Sequence, residues 1–164
     1  MSSDLSLYRP NVGVVLFNSD GLVWLGERAA QTHGPESAIP APYRWQFPQG
    51  GVDDGEALEA AARRELAEET GVTSARYLAC TEGWFAYTFP REIAKGGRWL
   101  GQKQVWYAFR FEGDESEIRL DQHEEIEFVS WRWARLEETP GLIVPFKRDA
   151  YLQVVEAFKA FAAA

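Results

Sequence analysis

Short β-branched and aromatic runs alternating with two long helical patterns predict an α/β domain built in layers. Three observations carry this. Strand-like runs recur along the chain, apolar residues return every three or four positions in two stretches, and 46% of the 164 residues are hydrophobic, enough for a sizeable core in one domain over 1–164.

The elements follow in order. Asn11 to Asn18 is apolar and β-branched, Ser19-Asp20-Gly21 is a turn signal, and Leu22 to Glu27 resumes the apolar pattern, so the two runs form a hairpin. Gln31 to Tyr43 holds three prolines and a glycine and reads as an exposed irregular loop. Trp45 to Phe47 is a short strand, after which Gly50 and Gly51 are expected to make a tight turn with unusual backbone angles. A helix runs from about Ala57 to Thr70, with Leu58, Ala62 and Leu66 as its buried stripe and Gly71 as its stop. Arg76 to Thr81, Trp84 to Phe89, Lys103 to Phe111 and Glu127 to Trp133 are further strands, and the alternation of Val105, Tyr107 and Phe109 suits a half-buried one. A last helix starts near Pro145 or Phe146, with Tyr151, Val154, Val155, Phe158 and Phe161 as its apolar face.

The first helix carries the chemistry. Glu65, Glu68 and Glu69 stand at i, i+3 and i+4, which at roughly 100° per residue places all three carboxylates on one face. Glutamate-rich faces are commonly just solvated surface. Like charges at this spacing repel, however, and a face made for solubility would intersperse lysine, whereas here only Arg63 and Arg64 offer partial relief. Hard divalent cations such as Mg²⁺ take such oxygen clusters together with substrate phosphates.

The whole string is more specific. Gly50, five residues, Glu56, seven residues, Arg64-Glu65-Leu66, one residue, Glu68-Glu69, one residue and Gly71-Val72 fill every fixed position of the Nudix box, so the chain resembles the Nudix hydrolases. That resemblance implies a mixed, curled β-sheet between helices. It also implies cleavage of a nucleoside diphosphate linked to another group, using Mg²⁺ or Mn²⁺. By the same resemblance Glu65 and Glu69 are metal ligands with Glu68 beside them, and the Gly50 carbonyl completes one metal. Glu56 and Arg64 form an orienting salt bridge, and Glu56 also suits the helix N-terminus. Family members differ in which glutamate activates water. Glu68 and Glu127 are the candidates here. Alternation puts Glu125 and Glu127 on one strand face, and the residues alone do not choose between them.

The Glu-Phe-x-x-Trp-x-Trp pattern of Glu127 to Trp133 resembles a subfamily of RNA 5′-pyrophosphohydrolases and diadenosine polyphosphate hydrolases, and assigns the metal-ligand or base role to Glu127. Tyr8-Arg-Pro-Asn-Val-Gly13, Trp45-Gln-Phe-Pro-Gln-Gly-Gly51, Gly101-Gln-Lys-Gln104 and Phe146-Lys-Arg-Asp149 match it too, extending the likeness from Tyr8 to about Phe158. The implied substrate contacts are Arg9, Arg28 and Lys103 on phosphates, Tyr87, Gln49 and Gln102 as hydrogen-bonding groups, Phe146 stacked on a base, and Lys147 beside it. In the absence of those motifs the arginines read as surface charges and Phe146 as core. Gln31 to Arg44 is longer than in the bacterial RNA-processing members, so a lid that narrows substrate choice is expected there, a departure that counts against RNA as the substrate.

The implied substrate is a dinucleoside polyphosphate (diadenosine tetraphosphate giving ATP and AMP) or the 5′-triphosphate end of RNA, left as a monophosphate. Another nucleoside diphosphate derivative stays within the family. A domain that binds nucleotides without cleaving them would not need the full set of box carboxylates. The net charge of −8 argues against gripping a long nucleic acid. There is no basic-then-apolar start, and no apolar run nears the roughly 18 residues that span a bilayer, so no membrane association is expected. One cysteine, Cys80, has no internal partner; it reads as a buried small hydrophobe, and a cytoplasmic location is expected. Trp99 and Trp106 suit either core or an interface, so oligomeric state is open at this point.

Overall fold

The structure, a computed structural model, describes residues 5–29, 40–91, 97–121, 123, 124 and 126–163. Eight strands form one mixed sheet: β1 (Tyr8–Phe17), β2 (Val23–Arg28), β3 (Trp45–Gln46), β4 (Gln49–Gly51), β5 (Ala75–Cys80), β6 (Phe85–Thr88), β7 (Gly101–Phe111) and β8 (Phe128–Ala134). Among the described residues two long α-helices accompany it, α1 (Leu58–Thr70) and α2 (Arg148–Phe158). The main path runs β3-β2-β1-β7-β5, while β4 pairs with β1, β6 with β7 and β8 with β2.

β1 and β7 form the centre, parallel from Tyr8↔Gly101 to Phe17↔Arg110. The alternation in β7 suggests one wet face, but both faces are buried. Val105, Tyr107 and Phe109 join Val12, Val14 and Leu16 beneath Ala61, Ala62 and Leu66 of α1. Trp106 and Ala108 join Val15, Phe17 and Phe47 beneath Tyr151, Val154 and Phe158 of α2. A helix on each face turns a half-buried strand pattern into a fully buried one.

The expected hairpin forms around Asn18, whose Oδ1 accepts the N–H groups of Asp20 and Leu22, both at 3.0 Å. Its strands pair only at Phe17↔Val23. Beyond that point β1 continues with β4 and β7, whereas β2 continues with β3 and β8. The sheet therefore parts between β1 and β2.

Cys80 is exposed, against the expectation of burial, because it ends β5 at the sheet's edge. Trp106 is core, at the centre of β7. Most of the Gln31–Arg44 connection, 31–39, lies outside the described residues; Ala41–Tyr43 make a 3-10 turn and Arg44 bridges Ile143. No helix among the described residues is long and apolar enough to cross a membrane.

One buried contact ties α2 to the connection between β3 and β4. Phe47 N–H donates to Tyr151 Oη at 3.0 Å, and the two rings stack with centroids 4.9 Å apart. Tyr151→Phe leaves that buried N–H without an acceptor, a loss of about 1–3 kcal/mol. Chemical denaturation is the check; an unchanged midpoint means the hydroxyl does not hold the connection.

Candidate active site

α1 is positioned by its stripe and its stop. Ala61, Ala62 and Leu66 are buried against the sheet, which fixes the helix rotation and turns Glu65 toward β4. Gly71 ends it at φ 80°, its N–H bonded to the Ala67 carbonyl at 2.9 Å, a conformation that glycine adopts without strain. Before the helix, Asp53 N–H donates to Glu56 Oε1 and Glu56 N–H to the Asp53 carbonyl, both at 3.0 Å.

Gly50 and Gly51 do not make the expected turn. Both lie in β4, paired with Val12 and Asn11, and neither has positive φ. Their lack of a side chain serves close approach instead. A Cβ on Gly50 would sit 2.0 Å from Glu65 Cδ, and one on Gly51 would sit 2.9 Å from Arg9 Nη2. Glu65 and Arg9 thus press on this strand from its two faces.

Arg64 organises the carboxylates. Its Nε and Nη2 donate to Glu56 Oε2 and Oε1 at 2.8 and 2.9 Å, a two-pronged pair. Nη2 also reaches the Gly51 carbonyl at 2.9 Å, and Nη1 donates to Glu65 Oε1 at 2.9 Å and Glu68 Oε2 at 3.3 Å. The expected Glu56–Arg64 bridge is present, and Arg64 additionally holds two carboxylates of the acidic face. The guanidinium, and then the Asp53 N–H, lower the Glu56 carboxyl to about 2. A folded-state value below the unfolded one adds stability above the ordinary value near 4.5, and that contribution disappears as pH falls toward 2. Thermal midpoints of wild type and Glu56→Gln, compared in chelator, are therefore expected to differ at pH 6 and to converge toward pH 2. A gap independent of pH contradicts the ionic pair.

Glu65 is the buried carboxylate of the acidic face; beside it, half-buried, stands Glu69. Its Oε2 accepts Gln49 N–H at 3.0 Å. Burial first, then the carboxylates of Glu127 and Glu65, push its carboxyl well above the usual range, against the Gln49 bond. Burial also raises Glu65, opposed by Arg64. Glu127 stands just before β8, exposed, with Oε1 4.0 Å from Arg28 Nε. Arg28, Glu127, Gln49 and Glu69 therefore come from both halves of the parted sheet and from α1. Glu125, the other strand acid, lies outside the described residues.

These groups suit a hard divalent cation. The donors are all oxygen, and the space a Gly50 side chain would fill lets the Glu65 carboxylate lie against β4. Among the described residues no three ligating side chains converge tightly enough to enclose an ion alone, because Arg64 holds Glu65 and Glu68 while Glu69 faces Gln49. Mg²⁺ ordinarily retains waters and takes substrate phosphate oxygens, so an open set of carboxylates matches its habits.

The residues expected to bind substrate divide into two groups. Tyr87, Gln102, Phe146 and Lys147 meet: Tyr87 Oη donates to Gln102 Oε1, the Tyr87 and Phe146 rings lie 5.9 Å apart, and Lys147 Nζ is 5.5 Å from the Tyr87 ring centre. Tyr87 and Phe146 also line a cavity of about 400 Å³ with Leu5, Tyr8, Ala86, Thr88 and Asp149. Arg9 pairs in register with Gln102 and covers Gly51, linking this group to the acidic one. Lys103 does not join them. It shares the strand parity of Val105 and Tyr107, toward α1, and its Nζ sits 4.8 Å over the Trp84 ring.

Three buried amides, Asn11, Gln46 and Gln104, lie inside the quoted strings but were given no role. Gln104 Nε2 donates to Asn11 Oδ1 at 2.8 Å and to Gln49 Oε1 at 3.1 Å. A polar residue opening an otherwise apolar central strand was the available signal.

Fold and acidic helix together define the class: the chain belongs to the NUDIX domain family, which matches residues 7–154. Within it, the chain is 61% identical over 159 residues to an RNA pyrophosphohydrolase of Caulobacter vibrioides (strain NA1000 / CB15N), covering 94% of this chain and 88% of that protein. It is 50% identical over 157 residues to an RNA pyrophosphohydrolase of Rhizobium meliloti (strain 1021), covering 92% and 93%. The solved C. elegans Ap4A hydrolase binary complex shares the fold, with a TM-score of 0.62, 20% identity, and 93% and 98% of the two chains covered.

Proposed function

We propose that this chain, acting as one domain over 1–164, is a divalent-metal-dependent pyrophosphohydrolase that converts the 5′-triphosphate end of RNA to a monophosphate. The observation that carries it is the acidic face of α1 set against a glycine strand, with Glu69 on Gln49 N–H and Arg64 spanning Glu56, Glu65 and Glu68. The high identity to relatives named RNA pyrophosphohydrolase over nearly the whole chain supports RNA as the substrate.

Phosphoanhydride bonds resist water because their oxygens already carry negative charge; a bound Mg²⁺ or Mn²⁺ supplies charge neutralisation and a more acidic water. Glu65, Glu69 and the Gly50 carbonyl hold the cation, with Glu68 beside them. Glu127 or Glu68 takes the proton from the attacking water, whose new P–O bond replaces the broken phosphoanhydride bond as the outer phosphates leave. Arg64 and Glu56 keep the carboxylates in register. Arg9 and Arg28 receive phosphate oxygens, and Phe146, with Lys147, receives a base. The flat contact of a base on an aromatic ring tolerates base identity. Recognition of a chain end needs no long basic track, which agrees with the net charge of −8. Such a substrate meets the enzyme in the cytoplasm.

The decisive experiment compares specificity constants on 5′-triphosphate RNA and on diadenosine tetraphosphate, with Mg²⁺, with Mn²⁺ and with chelator. A higher constant on RNA, lost in chelator, is the expected result. Preference for diadenosine tetraphosphate reassigns the substrate, and metal-independent behaviour or no turnover of either overturns the reading.

A further inference from the structure

Gln104 on β7 is 1% exposed and Asn11, its register partner on β1, is 2% exposed. Burying an amide without partners is costly, so their hydrogen bonds constrain which way each is turned. A primary amide nitrogen has two hydrogens. Gln104 Nε2 spends them on Asn11 Oδ1, at 2.8 Å, and Gln49 Oε1, at 3.1 Å. Asn11 thereby anchors Gln104, and Gln104 draws the Gln49 oxygen inward. The Gln49 Nε2 group, on the other arm of the same planar amide, is left on the open side of a half-buried residue. Arg9 lies over Gly51, which shares the strand face of the Gln49 side chain, while the Glu69 carboxylate accepts the Gln49 backbone N–H.

Taking the polyphosphate reading above as given, we propose that Gln104 is a positioning residue that fixes Gln49 as a hydrogen-bond donor to the phosphate oxygens of the substrate. A side chain that only accepts at position 104 reverses this: it attracts Gln49 Nε2 inward and turns Gln49 Oε1 on the anion. An apolar side chain of similar length leaves the amide undirected. Neither change touches the substrate.

The test is equilibrium binding, by calorimetry in Mg²⁺, of a 5′-triphosphate RNA dinucleotide with methylene-bridged phosphates. Gln104→Glu and Gln104→Met are each measured alone and combined with Gln49→Ala. Gln104→Glu is expected to weaken binding about tenfold and Gln104→Met about threefold, the scale of a hydrogen bond to a charged group. With Gln49→Ala in place, both effects shrink to within about twofold, because the group they act through is gone. The Met variant supports the same comparison if the buried acid prevents folding. Equal losses in both backgrounds mean a general structural role and overturn the proposal. Tight wild-type binding that Gln104→Glu leaves unchanged also overturns it, and means the amides run in the opposite sense. Wild type that does not bind the triphosphate overturns the polyphosphate reading and this assignment with it.

Discussion

Glu69→Gln is expected to lower kcat by about 10³-fold, a loss of several kcal/mol of transition-state stabilisation, while leaving the fold as stable as before or more so. The two effects have opposite signs for one reason. Burial and the charges of Glu127 and Glu65 already disfavour the ionised Glu69 carboxyl. Its folded-state value lies above the unfolded one, so the fold loses stability as pH rises past the ordinary carboxyl range, and a neutral side chain of the same shape removes that cost. The amide oxygen still accepts Gln49 N–H. What disappears is the charge that a divalent cation needs. Two measurements check this. Mg²⁺ at about 100 times its Kd raises wild-type stability by about 2.7 kcal/mol by mass action, and the variant should lack that increment. Turnover measured at saturating Mg²⁺ supplies the other. An active variant, or one that melts earlier in chelator, refutes the role given to Glu69.

Gly50→Ala is the second large effect, and it separates two explanations of this glycine. A turn glycine at positive φ loses stability on gaining a side chain. Gly50 instead lies in β4 without positive φ, where alanine fits the backbone. The nearest atoms to the new Cβ are the end of a side chain, 2.0 Å to Glu65 Cδ and 2.2 Å to both carboxylate oxygens. That carboxylate can swing away, losing its 2.9 Å bond from Arg64 Nη1 and its seat on β4. Stability should change by no more than about 1 kcal/mol, within the range of substitutions that create no core void. Activity should fall by about 10²–10³-fold, since a displacement near 1 Å at a positioned group already costs about 10²-fold. A variant that is badly destabilised yet normally active per folded molecule reverses the account. Gly13 shows the contrasting case: its Cβ would lie 2.3 Å from the buried Trp106 ring, which has nowhere to move.

The legible parts of the site were local in the chain. Glu65, Glu68 and Glu69 share a helix face because of the helical repeat, and Gly71 stops α1 because its position follows the last buried turn. The Glu56–Arg64 pair spans eight residues across the start of one helix. Contacts joining distant strands were illegible. Gln104 meets Asn11 across 93 positions and Gln49 across 55, and no periodicity announces either. The hairpin was read correctly at its turn and incompletely beyond it, because which partner a strand takes after the turn depends on the rest of the sheet. Cys80 and the central strand erred in opposite directions for one cause. Burial depends on what covers a strand: the end of β5 is left exposed at the sheet's edge, and α1 and α2 cover both faces of β7.

The amino-acid order alone determined the layered α/β character, the acidic helix with its stop, and the family, because each is written in spacing along a few consecutive turns or in a fixed string. Tertiary structure alone decided that Gly50 is a contact surface rather than a bend, that Lys103 turns toward α1 while Gln102 meets Tyr87, and that Glu69 rests on Gln49 N–H. The physical reason is that those outcomes depend on how strands far apart in the chain come into register, and burial then fixes which polar atoms each buried side chain must meet.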